Sequence, residues 1–230
     1  MNRLQVWQRW HRSRSIRVRP VGSSGLGSWW FLAAAAVFAA TVASAGLSVA
    51  SAGAAVETYT FPIHGCSASY ARSHHDYPAT DIFAGYGCRF VAPITGRVDE
   101  VSRVDHWSPG TNRGADRGGL SVSIVGVDGV RYYGSHLSRI AAGIKPGLYV
   151  RWGATLGFVG RSGDASATHL HFGISWPTPP GKWWVRRGEV WPWRYLDAWR
   201  SGQVHRSPVT AVRAAWKQAG RTVPKCRVDC

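Results

Sequence analysis

Residues 168–172 read Thr-His-Leu-His-Phe. In an extended strand side chains alternate between faces, so His169 and His171 share one wall while Leu170 and Phe172 point into a core. Two imidazoles on one wall can be two ligands of one metal, one ligand beside one proton-transfer base, or two surface histidines with no partner in common. The chain offers further groups of the same chemistry. His136 stands in Tyr-Tyr-Gly-Ser-His-Leu-Ser, and His74 and His75 stand in Ser-His-His-Asp-Tyr-Pro-Ala-Thr-Asp-Ile-Phe, ahead of Asp81. A catalytic zinc takes about three protein ligands and leaves one position for water. His75, Asp81 and one member of the 169/171 pair would make that set. His136 and the other member would then be free to move protons.

Strands must position these groups. Residues 120–127 alternate in polarity before Asp128-Gly129, a hairpin signal, and residues 130–133 return. Residues 90–104 alternate in places and are broken by Pro93 and Gly96, whereas residues 105–119 lack any period and read as a long loop of the kind that borders sites. Glycines 147, 153, 157, 160 and 163 punctuate short apolar pairs before residue 168. Helical periodicity appears only near 195–200 and 209–219. Five tryptophans, Trp183, Trp184, Trp191, Trp193 and Trp199, lie among basic residues. They fit aromatic packing of a C-terminal extension onto the core better than a sugar- or wall-binding surface.

The 230 residues, 45% hydrophobic, suit one main domain. Net charge is +16, and the first 52 residues account for only six arginines of it, leaving 22 basic against 12 acidic residues. Such an excess suits a polyanion, and no nucleic-acid-reading motif accompanies it, so nucleic acid is not the expected partner. Those arginines precede an uncharged, alanine-rich stretch closed by Ala43-Ser44-Ala45 and Ala50-Ser51-Ala52, the layout of a secretory signal cleaved near Ala52; the stretch is also long enough to act as a membrane anchor. Either way the remainder is expected to be secreted or extracytoplasmic. Four cysteines there argue for disulfides, paired by proximity as Cys66–Cys88 and Cys226–Cys230.

Four elements occur in order: His75 to Asp81, Tyr133-x-x-His136-Leu137, the glycine run Gly153 to Gly163, and His169-Leu170-His171-Phe172. Together they resemble the lysostaphin/LytM-type zinc metalloendopeptidases, over roughly residues 76–174. The resemblance implies a mainly β fold, a compact antiparallel β-sheet domain of the duplicated-hybrid-motif type with a groove across it. It implies hydrolysis of peptide bonds in peptidoglycan peptides with one zinc per chain. It places the metal on Asp81, His171 and a first histidine, and catalysis on His136 and His169, with His169 as base and His136 as oxyanion donor or the reverse. That family spaces its first ligand four residues before the aspartate, but position 77 here is tyrosine. His75 is the expected substitute, an even number of residues before Asp81; His74 would point away unless a bulge intervenes. If neither reaches the metal, the domain is a catalytically silent module that binds the wall or regulates another hydrolase. The expected organisation is a signal or anchor over 1–52, a zinc peptidase-like β domain over 53–180, and a Trp-rich, partly helical extension over 181–230. Anionic cell-wall polymers are expected as further partners, and a membrane only if the N-terminal segment is retained.

Overall fold

The computed structural model describes residues 57–220. The expected N-terminal signal and the Cys226–Cys230 pair lie outside the described residues. Among the described residues eleven strands form two antiparallel sheets. The smaller takes β1 (Ile63–His64), β4 (Arg89–Val91), β10 (Thr155–Val159) and β8 (Leu137–Ile140), in that order. The larger runs β2 (Ala68–Tyr70), β3 (Thr80–Ala84), β11 (His169–Ser175), β7 (Arg131–Ser135), β6 (Ser121–Gly126), β5 (Gly96–Ser102) and β9 (Tyr149–Val150). Both contribute to one hydrophobic cluster: Phe90, Leu137 and Leu156 come from the smaller sheet, and Ile82, Ile124, Tyr132, Leu170 and Phe172 from the larger. Each such side chain, fully buried, stabilises by about 1.5–3 kcal/mol relative to exposure.

The hairpin falls where the sequence predicts it. Gly126 and Val130 close it, Gly129 takes the left-handed backbone (φ +77°) that the turn requires, and the Asp128 carboxylate accepts from Val130 N–H at 3.1 Å. Residues 105–119 contain neither strand nor helix. Among the described residues three helices follow the sheets: α1 (Trp183–Arg186), α2 (Trp193–Arg200) and α3 (Val209–Gln218). The last two match the periodic stretches; α1, four residues long, is too short to show a period. Of the tryptophans, Trp199 does pack: it is buried on α2 and stacks on Tyr59 at 5.3 Å. Among the described residues no helix is long and apolar enough to cross a membrane.

Two connections shape the site. Cys66 is bonded to Cys88 across 22 residues, closing the loop that carries His74, His75 and Asp81; a closure of that length is worth about 3 kcal/mol in the chain-entropy account. The end of α1 lies against β11 on one side and against the segment just before β3 on the other, and one glycine permits each approach. A Cβ on Gly173 would come within 2.3 Å of the Arg187 carbonyl oxygen, and one on Gly188, at φ +146°, within 2.1 Å of that of Pro78.

Candidate functional site

Register brings the chemistry together. On β3, Thr80 and Ile82 are buried in the core while Asp81 and Phe83 take the opposite face. On β11, Leu170 and Phe172 enter the core, and His171 pairs with Asp81 on one side and Ser135 on the other. Cross-strand partners of this kind have Cβ atoms about 5 Å apart, so strand pairing alone puts the Asp81 and His171 side chains in contact. His136 immediately follows β7 and precedes β8, where the chain passes from one sheet to the other. Its backbone is left-handed (φ +61°), a conformation that costs a non-glycine residue energy and persists only where the surroundings impose it. Here its N–H donates to Gly118 O at 2.9 Å.

The four imidazoles around Asp81 share one arrangement. A carbonyl oxygen can only accept, so a ring nitrogen beside it must carry the proton. His171 Nε2 donates to Arg187 O at 2.9 Å, His169 Nδ1 to Ala167 O at 2.9 Å, His136 Nδ1 to Ser162 O at 2.8 Å, and His74 Nδ1, more loosely, to Tyr77 O at 3.3 Å. In each neutral ring the other nitrogen presents a lone pair. Three of these face the Asp81 carboxylate: His171 Nδ1 lies 3.1 Å from Oδ1, His74 Nε2 3.5 Å and His169 Nε2 3.7 Å. Acceptors turned on one acceptor need a cation or a shared proton among them. Ligands held 2.0–2.2 Å from a tetrahedral zinc stand about 3.3 Å apart, and these separations fit that edge. Backbone carbonyls that fix the outer nitrogen are the usual support of metal-bound histidine.

The electrostatics agree. Burial works to raise the Asp81 carboxyl, but a proton shared with His171 or His74, which turns those contacts into hydrogen bonds, and the neighbouring rings outweigh it and hold the group well below the usual carboxylate range. Burial, with His171 and His169 nearby, pushes His136 down to about 3, and burial also lowers His169. Both are therefore neutral at pH 7, and each can take up a proton but has none to spare on its inner nitrogen.

Asp81, His136, His169 and His171 thus meet as the sequence expects. The first histidine is less simply placed. His74 has a side chain only 3% exposed, its ring 5.1 Å from that of His171 and 4.6 Å from that of Tyr77. His75 is exposed, with its ring 4.7 Å from His74; the ligand atoms of His74, His75 and Asp81 all lie within 4.8 Å of one another. Counting even positions from Asp81 presumes an extended backbone, and β3 begins only at Thr80; the preceding residues are bends. The groove of about 510 Å³ that holds these groups is also lined by Phe83, Tyr133, Trp183, Arg186 and Arg187. The sequence did not point to Arg187, because a carbonyl acceptor has no residue-type signature. A larger, more open cleft of about 830 Å³ between β2 and α2 contains none of these histidines.

Residues 75–182 match the model of peptidase family M23. Among solved structures, the chain is similar to the full antimicrobial peptidase lysostaphin of Staphylococcus simulans at 22% identity, covering 64% of this chain and 56% of that one with a TM-score of 0.46. The catalytic domain of the same peptidase aligns at 23% identity over 58% of this chain and 92% of that one, TM-score 0.43. A Pseudomonas aeruginosa chain assigned to peptidase M23 aligns at 23% identity, TM-score 0.46, over 61% of this chain and 51% of that one, so this chain spans about half its length. No curated protein matches.

Proposed function

From the match of residues 75–182 to the model of peptidase family M23, we propose a zinc-dependent endopeptidase that hydrolyses peptide bonds in bacterial cell-wall peptidoglycan. The observation that carries this reading is the set of imidazole lone pairs converging on Asp81 Oδ1, each with its outer nitrogen tied to a backbone carbonyl. Asp81, His171 and His74 would hold the metal. A bound zinc supplies Lewis acidity toward the scissile carbonyl and a water acidic enough to ionise near neutral pH. His169, its Nε2 beside the carboxylate, would accept that water's proton and pass it to the leaving amine. His136, its ring 4.6 Å from that of His169, is an acceptor at rest. It would serve the developing oxyanion once it carries a proton, or exchange roles with His169 as base. The Asp81 charge would stabilise the imidazolium formed at either ring.

The zinc-loaded chain is expected to release new amino termini from purified cell-wall sacculi, to stop on chelation, and to resume when zinc is restored. Zinc-loaded protein that leaves sacculi unchanged, while sedimenting with them, would replace this reading with a silent wall-binding module. Action on the wall places the protein outside the cytoplasm, where its positive charge would favour anionic wall polymers.

A further inference from the structure

Two adjacent arginines close α1, and their surroundings differ. Arg186 is ion-paired with Glu100, and its guanidinium stands 5.0 Å from the centre of the Tyr133 ring. Arg187 has rings for neighbours: its guanidinium carbon lies 3.8 Å over the Tyr77 centroid and 5.0 Å from that of Trp183. Its Nε is buried without a hydrogen-bond partner, and no carboxylate pairs with it among the described residues. A cation set on aromatic faces keeps its full charge while its plane is fixed, and a fixed guanidinium fork matches a carboxylate with two parallel N–H donors.

Location adds to this. Arg187 lines the same groove as the histidines, and Tyr77 is the link: its ring touches the guanidinium on one side and lies 5.8 Å from the His171 ring. Tyr77 therefore stands between the fork and the groups that would perform hydrolysis. An extended peptide advances about 3.3–3.6 Å per residue, so an acidic group one to three residues from the cleaved bond would reach the fork. Residues 183–187 also follow the segment that matches family M23, which ends at 182. This wall of the groove comes from the chain's own extension.

We propose that Arg187, held against Tyr77 and Trp183, is a carboxylate-binding subsite that directs the groove to peptides bearing an acidic group close to the bond cleaved. The word "cleaved" rests on the peptidase reading; the subsite does not. The probes are N-acetylated, C-amidated alanine hexapeptides with one glutamate or one glutamine at each position in turn. An all-alanine hexapeptide with a free terminal carboxylate is compared with its amide to separate a chain-end carboxylate from a side-chain one. Binding to the zinc-loaded full chain is read by calorimetry, and cleavage of the same peptides by mass spectrometry.

Wild-type protein is expected to bind the carboxylate member of at least one pair about tenfold or more tightly than its amide. Arg187→Gln is expected to bring that ratio to about one. Arg187→Lys keeps the charge without the fork and is expected to retain part of the preference; it carries the test if Arg187→Gln loses its thermal transition, full retention then counting against the proposal. A wild-type ratio near one at every position, or a preference that persists unchanged in Arg187→Gln, overturns the proposal. Discrimination without cleavage sinks the peptidase reading and leaves the subsite standing; cleavage without discrimination does the opposite.

Discussion

His74 and His75 differ by one position in sequence and by much more in surroundings. The first is enclosed by Asp81, Tyr77 and His171 and bonded at its outer nitrogen; the second is exposed at the rim of the same groove, its ligand atom within 4.8 Å of those of His74 and Asp81. A ligand must be held in place before the metal arrives, and burial with a fixed tautomer does that. His74→Ala is therefore expected to lose stoichiometric zinc and hydrolysis together, and His75→Ala to keep zinc within a few-fold of wild-type affinity. The opposite result in a zinc titration would return the role to His75. His169→Ala tests the division of labour: zinc should stay at one per chain while kcat falls by about 10²–10⁴, the usual worth of a positioned general base. Loss of zinc in that variant would make His169 a ligand. Asp81, His136, His169 and His171 were legible in the sequence because they sit on or beside strands, where a period of two assigns faces. Which of His74 and His75 joins them was not, because bends have no period.

At the scale of elements the hairpin between β6 and β7 shows how a polar group can be built into a core. Asp128 caps the turn, and its Oδ2 accepts from Tyr132 at 2.6 Å and Tyr59 at 3.0 Å. Burial raises its carboxyl above the ordinary value by more than these hydrogen bonds lower it. A folded value above the unfolded one means that the native state keeps a proton the unfolded chain has released. The stability this group contributes is then complete below about pH 4 and is lost as pH rises through the folded value. Asp128→Asn keeps an oxygen for Val130 N–H and has no charge to bury. Its Tm relative to wild type should rise between about pH 3.5 and about pH 7; melts in which the variant loses ground over that span would contradict the account. Asp-Gly between alternating runs made the hairpin readable. What stayed hidden is α1: four residues give no period, and its seating depends on Gly173 of β11 and on Gly188 against Pro78, whose purpose appears only when the segments meet.

Over the whole molecule the charge is strongly one-sided, with 28 basic residues against 12 acidic ones. That total was plain from composition, but where the charge would gather was not, because it depends on which faces fold outward. α2 turns Tyr195, Leu196, Ala198 and Trp199 inward. Its outer side, with β2, forms the larger cleft, lined by Arg72, Arg194, Arg200 and Arg206 against the single acid Asp197. All four are exposed; Arg72 is paired with Asp197, Arg200 lies over Phe61 and Tyr70, and Arg194 lies over Trp193. Exposed charges act over a Debye length of about 8 Å at physiological salt and about 3 Å at 1 M. If an anionic wall polymer is held by such charges, retention on sacculi should fall steeply between about 0.05 M and about 0.5 M salt, while hydrolysis of a small soluble peptide changes little. Arg194→Glu combined with Arg206→Glu should lower retention at low salt without touching the histidine groove. Retention that ignores both salt and charge reversal would assign wall binding to the groove itself, with the positive surface serving solubility alone.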